Sequence, residues 1–117
     1  MDKESVLNVI SFLEARLVDD GVRIERTVLF GSWQAGSASS DSDIDVVIVS
    51  ADFEGKDLFD RAGMVTQAEV LTIRKFLVPL DLVCMTPGEY ADGDSIMAQY
   101  ARSGEQIGAT VSHEAAG

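Results

Sequence analysis

Residues 29–49 read LFGSWQAGSASSDSDIDVVIV. The stretch opens on an apolar run, breaks at Gly31-Ser32, crosses a small polar loop and re-enters an apolar run carrying Asp43 and Asp45. Val46, Val47, Ile48 and Val49 make the second run the most β-prone of the chain, and a strand is expected from Asp43 to Ser50. Side chains on a strand alternate faces, so Asp43 and Asp45 point the same way, about 7 Å apart, while Ile44 points to the opposite face to pack. Two carboxylates aimed together are costly unless a cation sits between them. Mg²⁺ meets that need, since it takes one or two carboxylates plus phosphate oxygens.

Outward from this stretch, the chain reads as alternating helices and strands. Val6, Ile10, Leu13 and Leu17 recur at helical spacing, which predicts a helix over residues 2–18, capped by Asp2 or Ser5. A strand is predicted over Val22–Phe30, with a short helical turn at Ser32–Gly36. Residues Asp57–Leu77 read as a long helix with Leu58, Ala62, Val65, Ala68, Leu71 and Leu77 as its apolar stripe. Pro79 ends it by disfavouring helical geometry at the preceding residue. Leu80–Met85, LDLVCM, is the third strand, and Asp81 is its one acid. Thr86-Pro87 reads as a cap followed by proline at the first helical position, with Glu89 in that first turn. A further helical piece follows Asp94 with Ile96, Met97, Tyr100 and Ala101, and Gln106–Val111 is a candidate edge strand. Residues 112–117 are expected to fray. The order α-β-α-β-α-β-α predicts one α/β (α+β) domain over residues 1–117.

Composition narrows the function. Apolar residues make up 46% and charged residues 25%, a globular balance. Nine Lys and Arg stand against 20 Asp and Glu, a formal charge of -11. Nucleic acid and anionic membranes both need positive potential, so neither is expected as the main partner. A triphosphate must then arrive with a cation or be held by backbone amides. Cys84 is the one cysteine, which excludes an internal disulfide, and reads as a small buried filler. No apolar run approaches a membrane span, and the N-terminus lacks the basic region and cleavage site of a signal peptide, so a cytoplasmic protein is expected.

The chemistry has two halves. A third carboxylate on a neighbouring strand would allow two ions roughly 3.5–4 Å apart, and Asp81 is the candidate. Gly31 lets backbone approach a phosphate, and the Ser32 hydroxyl and following amides can donate to phosphate oxygens. A Gly-Ser pair alone is usually a turn, and Asp-x-Asp alone is commonly a solvated strand start. Their order, with a later acid inside an apolar strand, points to phosphoryl or nucleotidyl transfer, where the protein mostly positions groups and neutralises charge. Asp41 shares parity with Asp43 but falls in the loop, where exposure is expected.

Gly31-Ser32, Gly36, Asp43-Ile44-Asp45 and Asp81 together resemble the polymerase-beta-like nucleotidyltransferase superfamily, and within it the minimal nucleotidyltransferase (MNT) branch. The resemblance extends over nearly the whole chain, including the Met-Thr-Pro-Gly-Glu-Tyr segment. It implies a nucleotidyltransferase fold with a mixed three- to four-stranded sheet flanked by helices. It implies transfer of a nucleoside monophosphate from a Mg²⁺-bound triphosphate, ATP or another NTP, to a hydroxyl. By position, Asp43 and Asp45 would hold two Mg²⁺ ions, Asp81 would join the ion nearer the acceptor, and Gly31 and Ser32 would bind the terminal phosphates. Stand-alone members resemble antitoxins that adenylylate a tyrosine on a small helical HEPN-type partner.

One segment departs from the pattern. Many MNT proteins carry basic residues, as Gly-Ser-Arg-x-Arg-Gly, where this chain has Trp33-Gln34-Ala35. Two cations are absent there, and Arg26, Lys56 or a partner's residues are the alternatives. Trp33 reads either as a stacking or interface residue or as ordinary packing. The leading expectation is a Mg²⁺-dependent protein adenylyltransferase. Its rival is an MNT-fold module that neutralises a partner by contact alone. An aminoglycoside-type nucleotidyltransferase is less favoured, because 117 residues leave no room for the helical acceptor domain of those enzymes. A site on so small a domain must be open, with a sheet edge and outer helices supplying any partner surface, whether for a second protein or a homodimer.

Overall fold

The computed structural model describes residues 2–36, 38 and 42–107. Asp41, the residues beyond 107 in the candidate edge strand and the 112–117 tail lie outside the described residues. Helix α1 runs Lys3–Asp19, and Asp2 is the cap that forms, accepting from the Ser5 amide. Strand β1 is Arg26–Phe30, followed at once by the single turn α2, Gly31–Ala35. Strand β2 is Ile44–Val49, a 3₁₀ turn spans Ala51–Phe53, and α3 runs Leu58–Phe76 from an Asp57 cap. Strand β3 is Leu80–Met85; α4, Pro87–Asp92, and α5, Ile96–Arg102, follow, and β4 is Glu105–Gln106.

The four strands form one mixed sheet in the order β3-β2-β1-β4. β2 is antiparallel to β1 and parallel to β3; β1 and β4 are antiparallel. The parallel step needs a crossover, and α3 supplies it. Of the strand expected over residues 22–30 only the second half joins the ladder. Val22 and Ile24 are nonetheless buried, and the bend before Arg26 is held by Arg23, whose amide and guanidinium both donate to Asp52.

Each face of the sheet has its own apolar cluster. The larger joins Val6, Ile10, Leu13 and Leu17 of α1 with Val65 and Ala68 of α3 and with Leu29, Ile44, Val46 and Ile48. The smaller joins Val28, Phe30, Val47, Val49 and Met85 with Ala98 and Ala101 of α5. Sheets covered on both faces read as continuous apolar runs, which explains VVIV in β2.

The stripe expected for α3 is rotated. Arg61, Val65, Ala68 and Thr72 are its buried residues, whereas Leu58 and Leu77 are 80% and 84% exposed. Positions 61, 65, 68 and 72 fall within a narrow arc at 100° per residue, and Ala62, Leu71 and Leu77 fall outside it. Two of the four inward residues are polar, so a reading by hydropathy passes over them. In α5 the same occurs: Ala98 and Ala101 face inward, and Ile96 and Tyr100 are exposed.

Candidate active site

β2 and β3 are parallel and in register, and that register sets Asp45 beside Asp81. Paired residues on adjacent strands sit about 4.8 Å apart. Asp45 has the parity of Val47 and Val49, so it belongs to the α5 side of the sheet, where it lies beyond the smaller cluster. Ile44 is fully buried on the other face, as the alternation requires. Asp43 stands one residue ahead of the strand and is exposed.

Electrostatics marks Asp45 as the centre. Its carboxyl is held above the ordinary carboxylate range by partial burial first, then by the charges of Asp81 and Asp43. Asp81 and Asp43 thus both act on Asp45, and no cation among the described residues is found acting on it. Among the described residues, no three His, Cys, Asp or Glu side chains converge closely enough to enclose an ion by themselves.

Gly31 stands against the Asp45 carboxylate. It follows Phe30, the residue paired with Asp45, and opens α2 at φ +74°. A Cβ at position 31 would overlap Oδ2 of Asp45 and stand 3.1 Å from its Cγ. The bare Cα thus makes the space in which the carboxylate sits. Ser32 is half-buried in the same turn, which closes with Gly36 in the left-handed conformation donating to the Ser32 carbonyl.

Trp33 is a packing residue. It lies half-buried against the larger cluster, and its indole N–H donates to the Ser42 carbonyl at 3.4 Å. It thereby ties α2 to the chain just before Asp43. Arg26 pairs with Val49, four residues or about 13 Å along the sheet from the Phe30–Asp45 pair. Its guanidinium lies over the Tyr90 ring and bonds Gln106. Lys56 follows the far end of β2, where its carbonyl accepts from Arg61. Neither cation stands at the acidic end of β2.

Two side chains reach this region unannounced by the sequence. Lys3 lines a shallow cavity of about 300 Å³ with Trp33, Gly36 and Ala38, and its ammonium pairs with Glu105 at 2.8 Å. Glu69 of α3 is raised above its ordinary range by burial first and then by Asp81. Both positions depend on how helices pack on the sheet, and nothing local in the sequence signals them.

A known family covers this arrangement. The model of the nucleotidyltransferase domain matches residues 10–94, from within α1 to just before α5. The chain belongs to the nucleotidyltransferase domain family. Solved structures share the fold of this domain. A Sulfolobus solfataricus protein assigned as a nucleotidyltransferase is 24% identical over 74% of this chain and 72% of its own, with a TM-score of 0.62. A protein assigned as a minimal nucleotidyltransferase is 22% identical over 92% and 96%, with a TM-score of 0.58. A toxin–antitoxin structure with AMP-PNP is 17% identical over 99% and 87%, with a TM-score of 0.57. No curated protein matches the chain. At these identities the likeness speaks for the shared fold.

Proposed function

We propose that this nucleotidyltransferase domain transfers a nucleoside monophosphate, AMP from ATP, to a hydroxyl on a partner protein in the cytoplasm. The reading extends to an MNT-type antitoxin acting on a small helical HEPN-type toxin. The observation that carries it is the Asp45–Asp81 register beside Gly31, with Asp43 one residue ahead of the strand.

Asp43 and Asp45 are the residues to hold Mg²⁺, and Asp81 joins them on the acceptor side. Mg²⁺ bound there supplies charge neutralisation for the triphosphate and the attacking oxygen. Gly31 leaves space for the Asp45 carboxylate, and the α2 turn offers Ser32 and its amides to phosphate oxygens. Asp81 orients the acceptor O–H and takes up its proton as the oxygen bonds to the α-phosphorus. The bond from the α-phosphorus to the bridging oxygen breaks, and pyrophosphate leaves.

A toxin–antitoxin structure among the fold's neighbours supports the pairing with a partner protein. The contact-only reading keeps one observation in its favour. Trp33 is committed to packing, and Arg26 and Lys56 lie away from the acids, so the triphosphate meets few cations of this chain.

The experiment combines the protein, labelled ATP, Mg²⁺ and the product of the neighbouring gene, with mass analysis of both chains. Partner mass should rise by one AMP with native protein and stay unchanged with Asp43→Ala or Asp81→Ala. Neutralisation of the partner without a mass change, surviving both substitutions, would sink the transferase reading.

A further inference from the structure

Among the described residues, strand β3 pairs with β2 alone and ends the sheet. The carbonyls of Pro79 and Met85 accept from Ile44 and Ser50, so the odd-numbered residues turn their backbone groups toward β2. Leu80, Leu82 and Cys84 then turn theirs outward. Arg61 reaches the Cys84 carbonyl at 3.3 Å, and the outward groups of Leu80 and Leu82 have no partner chain beside them among the described residues. An edge like this is a template for another strand.

Two cavities flank the edge, one on each face of the sheet. The first, about 260 Å³, lies between α3 and the strand and is lined by Leu58, Ala62, Val65, Leu82 and Cys84, with Glu69. The second, about 360 Å³, lies under α4 and α5 and is lined by Val83, Met85, Ser95 and Ala98, with Glu89 and Asp94. The two share Leu58, Arg61, Val83 and Cys84, but Val65 and Leu82 line the first alone and pack with the larger cluster, whereas Met85 and Ala98 line the second alone and belong to the smaller, so the cavities open to opposite faces. A strand added to β3 sends alternate side chains to those two faces. At the mouth, Leu58 and Phe59 are 80% and 88% exposed.

We infer that the free edge of β3 docks an extended segment of the acceptor protein, with apolar side chains in both cavities and basic residues flanking them. This rests on the transferase reading above and supplies its acceptor site. Charge selects the occupant. Glu69 and Asp94 line the two cavities, Asp81 is in the edge strand itself, and Arg61, the cation lining both cavities, is engaged by Glu89 at 2.7 Å. A second copy of a chain with net charge -11 would set Asp81 and Glu69 of both copies close together, which like-charge repulsion opposes. A basic segment gains where a copy loses. Continuity with the site adds a second reason: Asp81 is in β3 itself, beside Asp45, so a hydroxyl on the docked segment is carried past the carboxylates.

The test uses the full chain, isotope-labelled, and a peptide Lys-Lys-Val-Tyr-Val-Leu-Lys-Lys, with a control in which every lysine is glutamate. The basic peptide should bind and slow amide exchange at Leu82 and Cys84 at least about tenfold, and the acidic one should not. Leu82→Pro removes an outward N–H and leaves the β2–β3 ladder intact, so it should abolish binding. Ala62→Trp fills the α3-side cavity without touching the backbone and should weaken binding, which decides the matter if the proline variant does not fold. No slowed exchange at Leu82 and Cys84, equal binding of the acidic peptide, or native affinity in the folded variants overturns the docking edge. Adding ATP and Mg²⁺ separates the two readings. Slowed exchange with no mass gain on the peptide keeps the docking edge and removes the transferase reading. A mass gain that Leu82→Pro and Ala62→Trp leave unchanged keeps the transferase and removes the docking edge.

Discussion

The Cα of Gly31 and the carboxylate of Asp45 share one small space, in which a Cβ at position 31 would overlap Asp45 Oδ2. Position 31 is also left-handed at φ +74°, a conformation that costs an L side chain roughly 1–2 kcal/mol. Gly31→Ala should therefore lower stability by about 1–3 kcal/mol and displace the Asp45 carboxylate. Urea unfolding measures the first effect. Magnesium-dependent ATP binding, followed by calorimetry, should fall in the folded fraction, and retention of native binding would count against Asp45 as a ligand.

Asp45 predicts a pH effect of definite sign. Burial, then Asp81, then Asp43 raise its native pKa, so folding favours the protonated form. The associated stability is complete below the ordinary carboxylate range and is lost as pH rises through the native pKa. Asp45→Asn should raise the thermal midpoint in EDTA at pH 7 while abolishing transfer. Asp81→Asn should move the Asp45 carboxyl back toward its ordinary range, read by carbon NMR titration.

Arg61 ties three elements. It donates to Glu89 at 2.7 and 3.1 Å, to the Lys56 carbonyl at 2.9 Å and to the Cys84 carbonyl at 3.3 Å. Glu89 closes a capping box with Thr86 at the start of α4. Arg61→Ala should cost about 2–4 kcal/mol in urea unfolding, because it frees two carbonyls and a carboxylate at once. Glu89 is held below its ordinary range, chiefly by Arg61, so its contribution is present above that range and lost as pH falls through the native pKa.

Glu14 is buried, and the Thr27 hydroxyl donates to it at 2.7 Å. Burial raises the Glu14 carboxyl and Thr27 opposes that rise. Thr27→Val should cost about 1–3 kcal/mol at pH 7, through an unsatisfied buried carboxylate. The loss should shrink as pH falls and Glu14 protonates. Equal loss at pH 4 and pH 7 would show that packing, not the carboxylate, sets the cost.

Leu77 caps α3 in the left-handed region at φ +56° with its side chain in solvent. Leu77→Gly should raise stability by up to about 1 kcal/mol, seen as a higher urea midpoint at unchanged slope.

Strong local signals carried the reading from residues to elements. VVIV in β2, LDLVCM in β3, Thr86-Pro87 and the α1 stripe each combine an apolar period with a turn or cap signal, and each element stands within a few residues of its expected place. The α3 stripe did not follow, because its buried face carries Arg61 and Thr72, whose polar groups are satisfied by partners distant in sequence or by the preceding turn. The local sequence does not distinguish stacking, interface or packing for Trp33, whereas its place against the larger cluster makes it a packing residue.

By itself the sequence determined which residues are candidates for the chemistry: glycine and serine at a strand end, two acids at strand parity and a third acid in an apolar run. Those are properties of side-chain type and of a two-residue period, and both are local. The tertiary structure decided their relations. Parallel pairing put Asp81 beside Asp45, the bend after Phe30 brought Gly31 against the Asp45 carboxylate, and the sheet order left β3 as an edge with a cavity on each face. Register, edge and cavity arise from contacts between segments far apart in the chain, and no local pattern encodes them.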